Sequence, residues 1–154
     1  VNGNNVPPEE ARRDIINMSE YERAMFGFYQ DTSIDDTAMV LRDLYRNIAM
    51  IDVKKNISAE DIKNELAAGK LAIIPLNTRL TRHPLYRQGP IRHTVVAVGY
   101  DDQTDEIIIH DPYYSAGKYL RLSSAAVNRA LWDYNSGIHL PNGPKRSAMI
   151  VVSR

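Results

Sequence analysis

Apolar residues recur with two different periods along this chain, and each period predicts a different kind of element. Helical spacing extends over residues 9–30, where Ser19 would allow a break and a second helix start, and again over 37–46. A third helix follows Ser58, which is a typical N-cap, and ends at Gly69, a typical C-cap. The first part of the chain is therefore predicted to be largely helical.

Short apolar runs bounded by turn-forming residues dominate the rest of the chain, and such runs are typical of buried strands. A long polar loop is predicted over 77–90 and a fourth helix over 124–134. The predicted strands cover residues 48–53, 71–76, 94–100, 106–110, 117–122 and 148–152. This order predicts an α+β fold in one domain, residues 1–154, with helices packed on a twisted antiparallel sheet.

Composition excludes several classes of protein. The 154 residues contain no cysteine, which rules out disulfides, thiolate zinc sites, iron–sulfur clusters and a cysteine nucleophile within this sequence. The 19 basic and 19 acidic side chains cancel, so the net basic charge of a nucleic-acid-binding protein is missing. No apolar run is long enough to span a membrane. We expect no cofactor, no nucleic-acid partner and no membrane span.

Two polar residues stand at neighbouring strand ends. His93 opens the predicted strand 94–100, and Asp111 follows the strand 106–110. In an antiparallel hairpin the start of one strand lies beside the end of its partner, so both side chains reach one end of the sheet. A carboxylate beside a histidine fixes the tautomer of the imidazole and stabilises its charged form. The pair fits the base and orienting acid of a nucleophilic triad, and equally a structural contact beside a turn.

The order of motifs around this pair resembles papain-fold cysteine peptidases of the double-glycine-leader type, which process bacteriocins, and their stand-alone relatives. The resemblance covers roughly residues 32–135. It is carried by Ser58 to Lys63, by Leu66 to Lys70 before an apolar strand, by His93 followed by Val95 to Asp101, and by Asp111-Pro112. It implies a papain-like fold, His93 as catalytic base, Asp111 as its orienting acid, and hydrolysis of a peptide bond or a related acyl transfer.

The chain departs from that family at the nucleophile. The family's cysteine lies at the N-terminus of its first helix, after a glutamine that lines the oxyanion hole, and no cysteine exists here. Gln30, followed by Thr32 and Ser33, superficially resembles that helix start, but the segment fits better as the family's later loop and second helix. In that alignment the cysteine-bearing helix lies upstream of Val1.

Two explanations of the missing cysteine compete, with an engineered replacement as a smaller third. Either the chain is part of a longer or processed peptidase, or it is a pseudoenzyme that lost its nucleophile and only binds. Stand-alone members of the family are mostly bacterial and often extracytoplasmic, which slightly favours a secreted or extracytoplasmic location. A missing helix would leave apolar surface to be covered by an upstream segment, by residues 9–30 or by a second copy in a homodimer.

The remaining candidate residues surround the expected cleft. A peptide or protein substrate is expected to contact Tyr113, Tyr114 and Arg92. The loop 77–90 would border the cleft as a lid. Its neighbourhood carries four arginines that would grip a carboxylate or phosphate or else stay solvated, namely Arg79, Arg82, Arg87 and Arg92. The spacing of the histidines matches no zinc motif, so no metal is predicted. Gly99, in the middle of a strand, indicates a bulge or a close backbone approach.

Three functions therefore stay open on the sequence. The first is a cysteine-peptidase-like domain whose nucleophile is not on this chain. The second is a non-catalytic module that binds a peptide in the same cleft. The third is a structural or interaction domain in which His93 has no functional role.

Overall fold

The computed structural model describes residues 6–47, 49–138 and 140–153, and an antiparallel sheet with four helices organises them. Two short 3-10 turns, Thr78–Thr81 and Pro84–Tyr86, interrupt the connection between the second and third strands. In chain order the elements are α1 (Pro8–Phe26), α2 (Ile34–Tyr45), β1 (Met50–Lys55), α3 (Ala59–Ala67), β2 (Leu71–Leu76), β3 (His93–Asp101), β4 (Glu106–His110), β5 (Leu120–Ser123), α4 (Ser124–Ala130) and β6 (Ala148–Ser153).

The six strands run in the order β1-β6-β2-β3-β4-β5, and every neighbouring pair is antiparallel. Strands β2 to β5 follow one another in space as they do in sequence. Strand β6 enters between β1 and β2, so it joins the two parts of the sheet. The predicted α+β arrangement of helices on an antiparallel sheet is confirmed.

The sheet is buried on both faces, which explains its continuous apolar runs. One face carries the main core, where Ile74, Val95 and Ile109 pack with residues of α3 and α4. The other face carries a smaller cluster that includes Ile150 and residues of α2. Helix α1 packs against α2. His93 is the first residue of β3. The next side chain on the same face of that strand is Val95, which belongs to the main core.

The helices differ from the prediction in several places, and α1 ends at Phe26 instead of residue 30. Helix α1 has no break, because Ser19 lies inside it and its hydroxyl donates to the Ile15 carbonyl at 2.9 Å instead of capping a new helix. Helix α2 begins earlier than expected, because the Ser33 hydroxyl caps it by accepting from the Asp36 N–H. Helix α4 ends at Ala130, since the next residue, Leu131, forms a β-bridge to strand β2.

A β-bulge sets the register between β3 and β4. Val96 lies opposite His110 and Ala97 opposite Ile109, but Gly99 lies opposite Ile108, so β3 holds one extra residue. The bulge expected at Gly99 is confirmed. Extension of the pairing places Asp111 opposite Val95, on the face that His93 shares, because side chains two apart in a strand point the same way.

A reciprocal capping box defines the start of α3. The Ser58 hydroxyl accepts from the Asp61 N–H at 3.4 Å, and the Asp61 carboxylate accepts from the Ser58 N–H at 2.8 Å. Two otherwise unpaired backbone groups are satisfied in this way. The helix start predicted at Ser58 is confirmed.

Replacement Ser58→Ala should lower the free energy of unfolding by about 0.5–2 kcal/mol, because it removes the N-cap acceptor of α3. Urea unfolding followed by circular dichroism measures this loss. The matched control is Ser115→Ala, at an exposed turn position, which should change stability by less than about 0.5 kcal/mol. Equal losses in the two variants would contradict the capping role.

Candidate active site

His93 and Asp111 meet at one end of the sheet. The imidazole Nε2 lies 2.9 Å from the Asp111 Oδ1, across the β3–β4 pair. The Asp111 side chain is completely buried, whereas 11% of the His93 side chain remains exposed. The carboxylate is therefore sealed inside the protein while the imidazole reaches the surface.

The buried carboxylate of Asp111 is held by polar donors on both oxygens. The Tyr86 hydroxyl donates to Oδ2, and the backbone N–H of Tyr113 donates to Oδ1 at 2.8 Å. Burial by itself raises the pKa of Asp111, but the hydrogen bonds from Tyr86, Tyr113 and His93 outweigh burial and hold the pKa below its ordinary value. Asp111 is thus an anion at neutral pH despite its burial.

Tyr86 is a site residue that the sequence did not reveal. It lies on the second 3-10 turn and is only 1% exposed, with its ring at the edge of the His93 ring, 6.4 Å between centroids. Burial, together with the bond to Asp111, raises the pKa of the Tyr86 phenol, so the phenol stays protonated as a donor. The only sequence signal was an aromatic residue in a mostly polar segment.

The loop 77–90 is more ordered than its composition suggested. Thr78 and Thr81 are buried, and the Thr78 hydroxyl donates to the Pro90 carbonyl at 2.6 Å, which ties one end of the loop to the other. The Gly89 N–H donates to the Tyr86 carbonyl at 2.9 Å. These bonds fix Tyr86 against Asp111 and make the loop a packed wall of the site.

The two tyrosines that follow Asp111 have different surroundings. Tyr113 is 72% exposed, and its ring lies edge-on to His93 with 6.0 Å between centroids. Tyr114 is half-buried and packs against Tyr86 and the main core. Tyr113 is placed where a ligand of His93 would touch it; contact of either tyrosine with substrate stays a prediction.

Arg92 is buried among internal partners. Its side chain is 6% exposed; Nε donates to Asn142, and Nη1 donates to the Asp31 carboxylate at 3.1 Å and to the Gly137 carbonyl at 3.0 Å. These bonds tie the start of β3 to the loop before α2 and to the segment after α4. Arg92 therefore supports the position of His93, and its expected contact with substrate stays a prediction.

The start of α2 has the chemistry of a capped helix and not of a nucleophile. The Thr32 hydroxyl pairs with the Thr37 hydroxyl at 3.0 Å, and the Ser33 hydroxyl is engaged with Asp36. The Ile34 N–H donates to the buried carboxylate of Asp133 at 3.1 Å. Among the described residues, neither hydroxyl makes a hydrogen bond to His93. The positive end of this helix is thus already neutralised by acidic groups.

An apolar groove lies beside α2, on the sheet face opposite the main core. It has a volume of about 270 Å³ and no polar side chain apart from the phenol of Tyr45. It is lined by Leu41, Tyr45, Ala49, Ile51, Leu71, Ile73, Val96 and Val152. None of these lining residues belongs to α1, so residues 8–26 do not cover the groove.

The described ranges contain no group of three or more histidine, aspartate or glutamate side chains arranged to hold a metal ion. The His110 side chain points away from that of Asp111 and packs against the tilted ring of Tyr119, 4.6 Å between ring centroids. As for membranes, none of the helices in the described part of the chain combines the length and the apolar character needed to cross one.

Comparison with known protein families identifies the family of this chain. A family model with the description Peptidase_C39 like family covers residues 2–138, which is most of the chain and includes both His93 and Asp111. No curated protein matches the chain. The six-stranded antiparallel sheet with its helices is consistent with the papain-like fold expected from the sequence.

Replacement Tyr86→Phe should lower the free energy of unfolding at pH 7 by about 1.5–3 kcal/mol, because it removes a hydrogen bond to a charged group. Since the folded-state pKa of Asp111 is depressed, this stabilisation exists above the unfolded pKa near 3.9 and is lost as the pH falls through the folded value. The difference between wild type and variant should therefore shrink below about pH 4.

Urea unfolding at pH 7, 5 and 3 measures that difference. Tyr114→Phe is the control, because its ring neighbours Tyr86 but its hydroxyl is not a partner of Asp111. A Tyr86→Phe difference that stays constant across this pH range would contradict the role assigned to the Tyr86 hydroxyl.

Replacement Gly117→Ala should disrupt the site, because a Cβ at this position would lie 2.7 Å from the Asp111 Cβ and 2.9 Å from the Tyr114 carbonyl oxygen. We expect a loss of about 1–3 kcal/mol in unfolding free energy and a shift of the His93 side-chain NMR signals. The matched variant Gly99→Ala should be tolerated, since its Cβ would meet only Ile108 Cδ1 at 3.6 Å and Ile108 Cβ at 3.9 Å. Identical behaviour of the two variants would contradict this account of Gly117.

Proposed function

Because the chain belongs to the Peptidase_C39 like family, we propose that it forms the base-and-acid half of a cysteine-peptidase site, completed by a cysteine outside residues 1–154. The observation that carries the proposal is the 2.9 Å contact between the His93 Nε2 and the buried Asp111 carboxylate. In this assignment His93 is the general base and Asp111 orients it. The proposed substrates of the completed site are peptides with a double-glycine leader.

The tautomer of His93 supports this assignment. With Asp111 ionised, Nε2 carries the proton that is donated to the carboxylate, which leaves Nδ1 as a proton acceptor. No described residue donates a hydrogen bond to Nδ1. A thiol placed there would pass its proton to Nδ1, and the Asp111 anion would stabilise the resulting imidazolium.

The reaction then follows the acyl-transfer sequence of a thiol nucleophile. The thiolate attacks the carbonyl carbon of a peptide bond, and the tetrahedral intermediate collapses to a thioester as Nδ1 gives its proton to the leaving amine. Water attacks the thioester, His93 accepts the water's proton, and that proton returns to the thiol as the acid product leaves. The chain's own residues hold and move this proton at both stages.

The apolar groove beside α2 supports a place for the missing segment. A helix that buries large side chains there would gain about 1.5–3 kcal/mol for each one. Val96, which lines the groove, points to the sheet face opposite His93, so a segment in the groove would have to pass around the end of the sheet to bring a thiol to the imidazole. Alternatively, a second copy of the chain would cover the groove in a homodimer.

A second candidate function is a non-catalytic module that binds a peptide or protein in the same cleft. The exposed ring of Tyr113 beside His93 favours it, since aromatic surface at a cleft commonly contacts a ligand. Both functions predict peptide binding near His93, and only the peptidase predicts an activated thiol.

In the product of the complete natural gene, iodoacetamide should alkylate one cysteine at pH 6 at least about 10-fold faster than in its His93→Ala variant, because the imidazole stabilises the thiolate. Rates are followed by intact mass. The control is His110→Ala, since the His110 side chain makes no hydrogen bond to the Asp111 carboxylate and packs against Tyr119. Residues 1–154 alone should cleave no peptide.

Equal alkylation rates in wild type and His93→Ala would overturn the peptidase proposal, and so would a complete gene product without cysteine. In that event, peptide binding that His93→Ala weakens would favour the binding module. Peptide binding that is insensitive to His93→Ala would overturn both functions.

A further inference from the structure

A second pocket adjoins the start of β3, on the side of Arg92. Its volume is about 350 Å³. It is lined by Asp31, Arg79, Pro90, Ile91, Arg92 and Leu140. Arg92 directly precedes His93 in the chain, and neither His93 nor Asp111 lines the pocket.

Arg92, which lines this pocket, carries a donor that is buried and unsatisfied. Its side chain is 94% buried, and its Nη2 has no hydrogen-bond partner within the described residues, although Nε and Nη1 are bonded. A buried guanidinium donor without an acceptor is costly, so a ligand oxygen that Nη2 reached by a small shift of the side chain would be stabilising.

Arg79 supplies a second guanidinium that is already oriented. Its Nε donates to the Gly89 carbonyl at 2.8 Å, while its terminal nitrogens make no hydrogen bond to any described residue. A side chain that is fixed before binding loses less conformational freedom when a ligand arrives. The planar fork of an arginine matches the two oxygens of a carboxylate.

The charges and walls of the pocket select the ligand. Among the described lining residues, two guanidinium groups and the carboxylate of Asp31 leave one net positive charge, and Pro90, Ile91 and Leu140 supply apolar walls. One positive charge with apolar walls suits a monoanion on a short apolar stem better than a phosphate, which is more highly charged and more strongly hydrated.

We propose that this pocket binds a carboxylate of the ligand, either an acidic side chain or a free C-terminus, and so contributes to the choice of ligand. Only the description of that ligand as a substrate rests on the proposed function. The carboxylate site itself stands on the geometry of Arg79 and Arg92.

The test is an NMR titration of the 154-residue chain at low salt with three blocked amino acids. N-acetyl-glutamic acid α-amide presents an acidic side chain, N-acetyl-leucine presents a C-terminal carboxylate, and N-acetyl-glutamine amide is the uncharged counterpart of the first. At least one acid should bind about 10-fold more tightly than the glutamine compound. The acid that binds more tightly identifies the source of the carboxylate.

Variants assign the binding to the pocket. Arg79→Gln should weaken binding of the acid by about 10-fold, and Arg79→Lys, which keeps the charge but not the fork, should weaken it by less. Arg87→Gln is the matched control, because Arg87 is exposed on the same loop but does not line the pocket. His93→Ala should leave the affinity for the acid within about twofold.

Equal binding of the acids and the glutamine compound, or equal losses in Arg79→Gln and Arg87→Gln, would overturn the proposal. If His93→Ala leaves carboxylate binding intact and alkylation of the complete gene product is equally fast with and without His93, the pocket stands and the peptidase assignment falls. If the thiol is activated by His93 but the acids bind no better than the glutamine compound, the peptidase proposal stands and the carboxylate-site proposal falls.

Discussion

The extra residue in β3 is the constraint on which the site depends. Side chains alternate between the two faces of a strand, so a shift of one residue moves a whole set to the other face. Without the bulge, the register that pairs Asp101 with Glu106 would set Asp111 opposite Val96, on the face away from His93. The 18-residue separation of His93 and Asp111 becomes a 2.9 Å contact through this single irregularity of the backbone.

The charge of Asp111 couples the site to the loop 77–90. Burial alone would favour the neutral acid, and a neutral acid would stabilise an imidazolium poorly. The hydroxyl of Tyr86 lies on that loop, so the bonds that close the loop on itself also keep the carboxylate anionic. The packing of the loop 77–90 and the charge of the buried Asp111 carboxylate therefore depend on each other.

Local patterns were enough to predict part of the structure. The bounds of β2 and β4 were predicted to the residue, because each is an apolar run between turn residues, and His93 and Asp111 could be paired because their hairpin is local. Strand β5 begins later than predicted, after Tyr119, whose φ of 57° interrupts an extended backbone. Tyr86 was missed for two reasons. It lies 25 residues before Asp111 in the sequence, and it belongs to a mostly polar segment in which no periodic pattern indicates burial. Family membership is shown, whereas processing of bacteriocin leaders remains a proposal.

The position of β6 between β1 and β2 affects the order in which the strands pair during folding. The hairpin that carries His93 and Asp111 needs only neighbouring residues, and such local contacts form early. Strands β1 and β2 have no partner on their facing edges until β6, the last strand, pairs with both. During synthesis the chain therefore holds two unpaired strand edges while the hairpin of His93 and Asp111 is already complete, and open edges of that kind are where nascent β proteins associate wrongly.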